Sequence, residues 1–204
     1  MNEATCTFCR KFYDMRERRW YDKEVYRDRN FALIPGVGPF GEGYFILLTL
    51  HHYRSFATIP DAMWTELLSF KRTARTMVES VFGSAMFFEH GPGPKTRGGS
   101  CIDHAHWHVM PLVRDLVATL RSEYLFKPIE LLGLRQLTEN SYLFIEDENS
   151  HGFAAIADSV PGQYIRRVIA HLEGRDDEWD YAAYPRYEII QSTLQRLSDR
   201  RYVE

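Results

Sequence analysis

The chain has 204 residues, 45% of them hydrophobic, with a formal net charge of -3 at pH 7. That is enough for a sizeable core in one domain, or one domain with a large extension, and its near-neutral balance gives no electrostatic footprint for duplex nucleic acid. No apolar run reaches the length of a membrane span and the N-terminal residues lack a signal-peptide core, so the expectation is a cytoplasmic globular protein with no membrane partner.

In chain order, the first feature is Cys6-x-x-Cys9. Three cysteines in all do not make a disulfide framework, and the pair reads as half a metal site or a redox pair. A charged segment follows to about Asp28, whose aromatics (Phe12, Tyr13, Trp20, Tyr21, Tyr26) predict partial packing. "VYRDRNFALIP" reads as two short strands about a turn at Asp28-Arg29-Asn30, "GVGPFGEG" as a loop, and "YFILLTL" as a buried strand.

The clearest helix is "PDAMWTELLSFKRTARTMVESVFG". Met63, Trp64, Leu67, Leu68, Ala74, Met77, Val78, Val81 and Phe82 recur at helical spacing, Pro60 and Asp61 suit the first turn, and Gly83 suits the end. "AMFFEHG" is the next strand, "PGPKTRGGS" a loop, and "CIDHAHWHVMP" a further strand. This order predicts an α+β unit with an antiparallel sheet and a long helix. The remaining residues predict an α/β extension: a hairpin in "SYLFIEDENSHGFAAIA" and amphipathic helices in "PGQYIRRVIAHLEG" and "PRYEIIQSTLQRLSDR", joined by "DDEWDYAAYP".

The histidine strand carries the chemistry. Alternation places His104, His106, His108 and Met110 on one face, and Ala105, Trp107 and Val109 on the other. The three imidazoles then stand roughly 7 Å apart. Three readings compete: ordinary polar positions on a half-exposed strand; a zinc chelate built by the row itself; or a neutral imidazole acting as a nucleophile toward phosphorus, with backbone N–H groups of the glycine loop on the phosphate oxygens.

"HAHWHVM" resembles the histidine-triad (HIT) pattern. "CTFC" resembles the family's Cys-x-x-Cys opening, "EGYFILLTLHHYRSF" its glycine, apolar strand and histidine, and "FEHG...GGSCIDHAHWHVMP" its strand, glycine loop and triad strand. The agreement spans residues 6 to 113, which sets the expected division: a HIT-like catalytic domain over 1–113, and a packed C-terminal extension over 114–204 of the kind some HIT-like proteins carry. The resemblance implies a nucleotide hydrolase or nucleotidyl transferase, acting on a nucleoside phosphate ester, anhydride or phosphoramidate through a covalent nucleotidyl-histidine. His106 would be the nucleophile, and His108 would hydrogen-bond phosphate oxygens or the leaving group. Cys6, Cys9, His52 and His104 would hold a structural zinc, with His51 as a rival to His52, and no organic cofactor is expected. The partner would be a small nucleotide, and a homodimer is compatible with the family.

Substrate and phosphate contacts are expected from Gly99, Ser100, Cys101, Lys95 and Arg97 in the loop, and from Gln163 and Arg166, with Arg167 beside them, in the extension. Glu89 and His90 lie near the loop, and Phe31, Ile34 and Phe45 are core or the wall of a base pocket. The chain departs from the family pattern in three places. No carboxylate follows the second strand until Glu42, Ser100-Cys101 replaces the usual glutamine and hydroxyl residue, and Thr49-Leu50 replaces a proline and lysine. A metal-dependent hydrolase with zinc in the histidine row, and a nucleotide-binding module without turnover, are the alternatives.

Overall fold

The computed structural model describes residues 5–13, 18–94, 102–111 and 113–200. One eight-stranded sheet organises them: β1 (Tyr26–Arg27), β2 (Phe31–Pro35), β3 (Phe45–Thr49), β4 (Ala85–Gly91), β5 (His106–Pro111), β6 (Lys127–Pro128), β7 (Tyr142–Glu146) and β8 (Gly152–Ile156). Their order is β1-β2-β3-β5-β4-β7-β8-β6, and every neighbouring pair is antiparallel. The expected α+β class is what the structure has.

The triad strand β5 lies between β3 and β4, in register with Ile46 and Phe88 beside His108 and Leu48 beside His106. A strand with partners on both sides has its backbone groups satisfied, so only its side chains are free for chemistry. The regular ladder begins at His106; Ala105 extends the pairing through bonds to Thr49 N–H and the Tyr53 carbonyl, which leaves His104 at the mouth of the strand.

The two faces of the sheet receive different helices. Trp107, Val109 and Ala105 pack with the long helix α2 (Trp64–Phe82), whose buried positions Trp64, Leu67, Phe70, Ala74 and Val78 keep the 3.6-residue period. Leu68 is an exception to the expected stripe and is 36% exposed, while Phe70 and Lys71 are buried instead. Lys71 can enter because Glu146 of β7 meets it, and Arg75 bonds the same carboxylate at 2.8 Å.

The histidine face is covered by α1 (Thr7–Tyr13), α3 (Leu116–Glu123) and α4 (Tyr164–Leu172). A last helix, α5 (Tyr187–Arg200), packs near α2. Residues after 113 therefore supply three strands of the same sheet and two of the three helices over the histidines. The short helices α1 and α3 had no counterpart in the sequence pattern, whereas α4, α5 and the β7–β8 hairpin fall where the amphipathic and alternating runs place them.

Candidate active site

His104 sits in a sulfur environment. It is 1% exposed, and its Nε2–H donates to the Thr49 carbonyl at 2.7 Å, with Thr49 Oγ1 at 3.1 Å. That bond fixes the tautomer and turns the Nδ1 lone pair toward Cys6 Sγ at 3.4 Å and Cys9 Sγ at 3.6 Å; His52 Nδ1 lies 3.4 Å from Cys9 Sγ. The four ligand atoms lie within 4.8 Å of one another, the only such group of metal-ligating side chains among the described residues. Zinc with bonds of about 2.3 Å to sulfur and 2.05 Å to nitrogen needs tetrahedral S···N edges of about 3.6 Å, so the donor set fits such an ion. Both thiols are free cysteines, and His51, the rival ligand, is exposed outside the group.

His106 faces elsewhere. Its Nδ1–H donates to the His104 carbonyl at 2.6 Å, and its ring meets Phe8 edge-on at 5.4 Å. A proton held on Nδ1 leaves a lone pair on Nε2. Burial pushes the His106 pKa down, opposed by the carbonyl bond, so the ring is neutral at pH 7.

His108 is clamped between rings, stacked on Phe88 at 4.3 Å and 8° and on Tyr44 at 5.8 Å and 23°. Its Nδ1 lies 2.5 Å from the Tyr44 hydroxyl. Burial, aided by repulsion from His106, Arg166 and His90, holds its pKa well below the usual histidine range. His90, on the same side of β4, is pushed down to about 4 by burial and by His106.

His106, His108 and His90 line one cleft whose walls are mainly apolar, including Phe8, Ile34, Val37, Ile46, Ile102 and Ile165. Three charged groups also reach it: Asp22, 3% exposed, Lys11, paired with it at 2.5 Å, and Arg166, 3% exposed. Arg166 donates to the Trp179 carbonyl at 2.9 Å, the Gly38 carbonyl at 2.7 Å and the Tyr44 hydroxyl at 3.0 Å. Among the described residues no carboxylate forms an ion pair with it.

A sequence model described as "Protein similar to CwfJ C-terminal" matches residues 24–126, just over half of the 204-residue chain. The chain belongs to this family. Its fold is HIT-like, as the triad strand suggests. The match covers β1 to β5 with α2 and α3, and leaves Cys6, Cys9 and Arg166 outside. No curated protein matches the chain. It is similar to several solved structures. One, described as a hypothetical histidine triad nucleotide-binding protein from Sulfolobus tokodaii, is 22% identical over 52% of this chain and 68% of that one, at a TM-score of 0.43. A zinc-bound histidine triad family protein from Mycobacterium smegmatis is 18% identical over 54% and 76%, at 0.42. A HIT family member from Bacillus subtilis is 15% identical over 52% and 72%, at 0.44.

In this CwfJ C-terminal-like chain the expected residues are distributed unevenly. His106, His108, Gln163 and Arg166 converge on the cleft, and Cys6, Cys9, His52 and His104 form the neighbouring cluster. Lys95, Arg97, Gly99, Ser100 and Cys101 lie outside the described residues. Arg167 points outward, its guanidinium 3.4 Å from the centre of the Trp179 ring. Ile34 is a cleft wall, whereas Phe31 and Phe45 belong to the core on the α2 side. Glu89 faces that core too and accepts from Phe56 N–H, Trp107 Nε1–H and Tyr142 O–H; burial raises its pKa to about 7 against those bonds. Glu42 turns to Ser192 and Arg196, and the carboxylate in the cleft is Asp22.

Tyr44 and Asp22 were missed as cleft residues. In sequence Tyr44 is the aromatic first residue of a strand and Asp22 one acid in a charged run, so no local signal marks either.

Proposed function

We propose that the protein is a nucleotide hydrolase or nucleotidyl transferase acting through a covalent intermediate on His106. The observation that carries the proposal is the His106 tautomer, with Nδ1–H held by the His104 carbonyl and the Nε2 lone pair available to the cleft. A neutral imidazole is a competent nucleophile at pH 7 without prior deprotonation. Its Nε2 attacks the α-phosphorus of a nucleoside phosphate ester, anhydride or phosphoramidate. A P–N bond forms, and the bond to the leaving group breaks with its electron pair. The nucleotidyl-imidazolium that results keeps Nδ1–H on a carbonyl, which favours the cation. Water or another acceptor then adds to phosphorus, the P–N bond returns its pair to Nε2, and the acceptor's proton goes to solvent.

Charge in the cleft supports an anionic substrate. Arg166 is buried without a carboxylate partner among the described residues, and a phosphate beside it would balance that charge. The apolar walls suit a base, and Asp22 is the carboxylate available to sugar hydroxyls. Gln163 from the extension, and Lys95, Arg97, Gly99, Ser100 and Cys101 from the loop, complete the substrate contacts. The functional division at 113/114 belongs to the same proposal, with the catalytic machinery in 1–113 and the extension closing over it.

Cys6, Cys9, His52 and His104 would hold the zinc as a closed four-ligand site. Such an ion would tie α1 to the mouth of β5, and four protein ligands would leave it a structural role.

The test is a panel of dinucleoside polyphosphates, nucleoside phosphoramidates and sugar nucleotides, adenylated and guanylated. Turnover is expected with at least one class, together with an acid-labile phosphoramidate adduct on His106. Both are expected to vanish in His106→Asn. Turnover persisting in folded His106→Asn would end covalent catalysis at that residue.

A further inference from the structure

His108 offers two nitrogens, and its use to a phosphate depends on which one carries the proton. The answer follows from the chain of partners behind it. An arginine can only donate, so the 3.0 Å contact from Arg166 Nη1 makes the Tyr44 oxygen an acceptor. Tyr44 is 2% exposed, and burial raises its pKa, so the phenol keeps its proton. That proton needs an acceptor in a buried place, and His108 Nδ1 at 2.5 Å is the one the structure provides. Nδ1 therefore accepts, and the proton of neutral His108 sits on Nε2. Among the described residues Nε2 has no hydrogen-bond partner.

The backbone is shaped for the same contact. A Cβ on Gly36 would lie 2.2 Å from the Tyr44 ring, so only glycine lets that ring reach His108. A Cβ on Gly38 would fall 2.9 Å from Arg166 Nη2 and 2.6 Å from Tyr181 Cβ, and Gly38 has a φ of +69°, which favours glycine again. Val37 between them lines the cleft. The "GVG" loop, Tyr44 and the extension's arginine thus form one packed unit behind the histidine.

We propose that Arg166 and Tyr44 are positioning residues that fix His108 as an Nε2–H donor, so that the two triad histidines in the cleft differ, His106 presenting a lone pair and His108 an N–H. The inference rests on the nucleotidyl-transfer reading for its catalytic meaning, though the proton's position does not. Arg166 acts through Tyr44, and the segment after residue 113 thereby enters the site's chemistry.

The test uses the full chain with its histidines labelled in 15N. Two-bond proton–nitrogen correlation at a pH where the ring is neutral should show His108 Nε2 protonated and Nδ1 bare. In Tyr44→Phe, which keeps the ring stack but loses the hydroxyl, His108 should shift to a mixture of tautomers. In the same variant, turnover of a dinucleoside polyphosphate should fall about tenfold in kcat with KM little changed. A wild-type His108 carrying its proton on Nδ1 overturns the proposal, as does folded Tyr44→Phe with an unaltered tautomer. If Tyr44→Phe does not fold, the wild-type spectrum alone decides. If His106→Asn abolishes turnover while His108 shows Nδ1–H, the positioning role falls and the function stands; with no turnover of any substrate, the spectrum still judges the positioning role.

Discussion

His104 and His108 stand two residues either side of His106, on the same face, yet the fold gives them opposite surroundings. At one end Nδ1 of His104 meets two thiols and a second imidazole, with Nε2 bonded to the end of β3. At the other end Nδ1 of His108 meets a phenol backed by a guanidinium, and the ring is held between Tyr44 and Phe88. The difference teaches that an imidazole's task is set by what its first nitrogen touches, because that contact decides which lone pair or proton the second one offers. His106 lies between the sulfur end and the phenol end, and its own Nδ1 is bonded to backbone.

The comparison is broken most forcefully at the sulfur end. Replacing both thiols, Cys6→Ser with Cys9→Ser, should abolish stoichiometric zinc by metal analysis and lower the melting temperature by about 10 °C, since ion binding and folding are linked. Unaltered zinc content would refute the ligand set.

At the arginine end, Arg166→Met keeps the stem but leaves the Gly38 and Trp179 carbonyls and the Tyr44 oxygen without their donor. Denaturant titration should show a loss on the order of 3 kcal/mol, with zinc content unchanged. Zinc lost together with stability would mean that the two ends are not independent.

Glu89 tests the opposite side of the sheet. Its carboxyl is raised from an ordinary 4.5 to about 7 by burial, so the folded state holds the proton to higher pH than the unfolded chain. Its contribution is therefore fully present below pH 4.5 and fades as pH rises through 7, by on the order of 3 kcal/mol. Stability curves at several pH values should show that slope flattened in Glu89→Gln, with the tautomers of the histidine row unaffected. A slope that survives would place its origin elsewhere.

The smallest effect belongs to the surface. Arg196, 48% exposed, pairs with Glu42, and Arg196→Ala should change unfolding free energy by about 0.5 kcal/mol or less, and less still in high salt. It calibrates how much an extension residue costs when it does not reach the cleft.

Much of this was legible without a structure. The alternation of His104, His106 and His108 against Ala105, Trp107 and Val109 is a period-two signal, and both faces are as the pattern dictates. The α2 stripe was legible except where a buried charge intrudes, because Lys71 is admitted only by a carboxylate 75 residues away. Glu42, the next acid after β2, turned to the surface, and the acid in the cleft came from the segment before β1, which no spacing rule links to it.

By itself the sequence determined which residues alternate and where the long helix runs, since periodicity and local chemistry are properties of neighbouring residues, and its histidine row carried a resemblance to a HIT-like sheet. The tertiary structure alone decided that Tyr44, 64 residues from His108, and Arg166, 122 residues from Tyr44, stand behind that histidine. A proton's position depends on donors and acceptors within about 3 Å in space, and chain order carries no record of that distance.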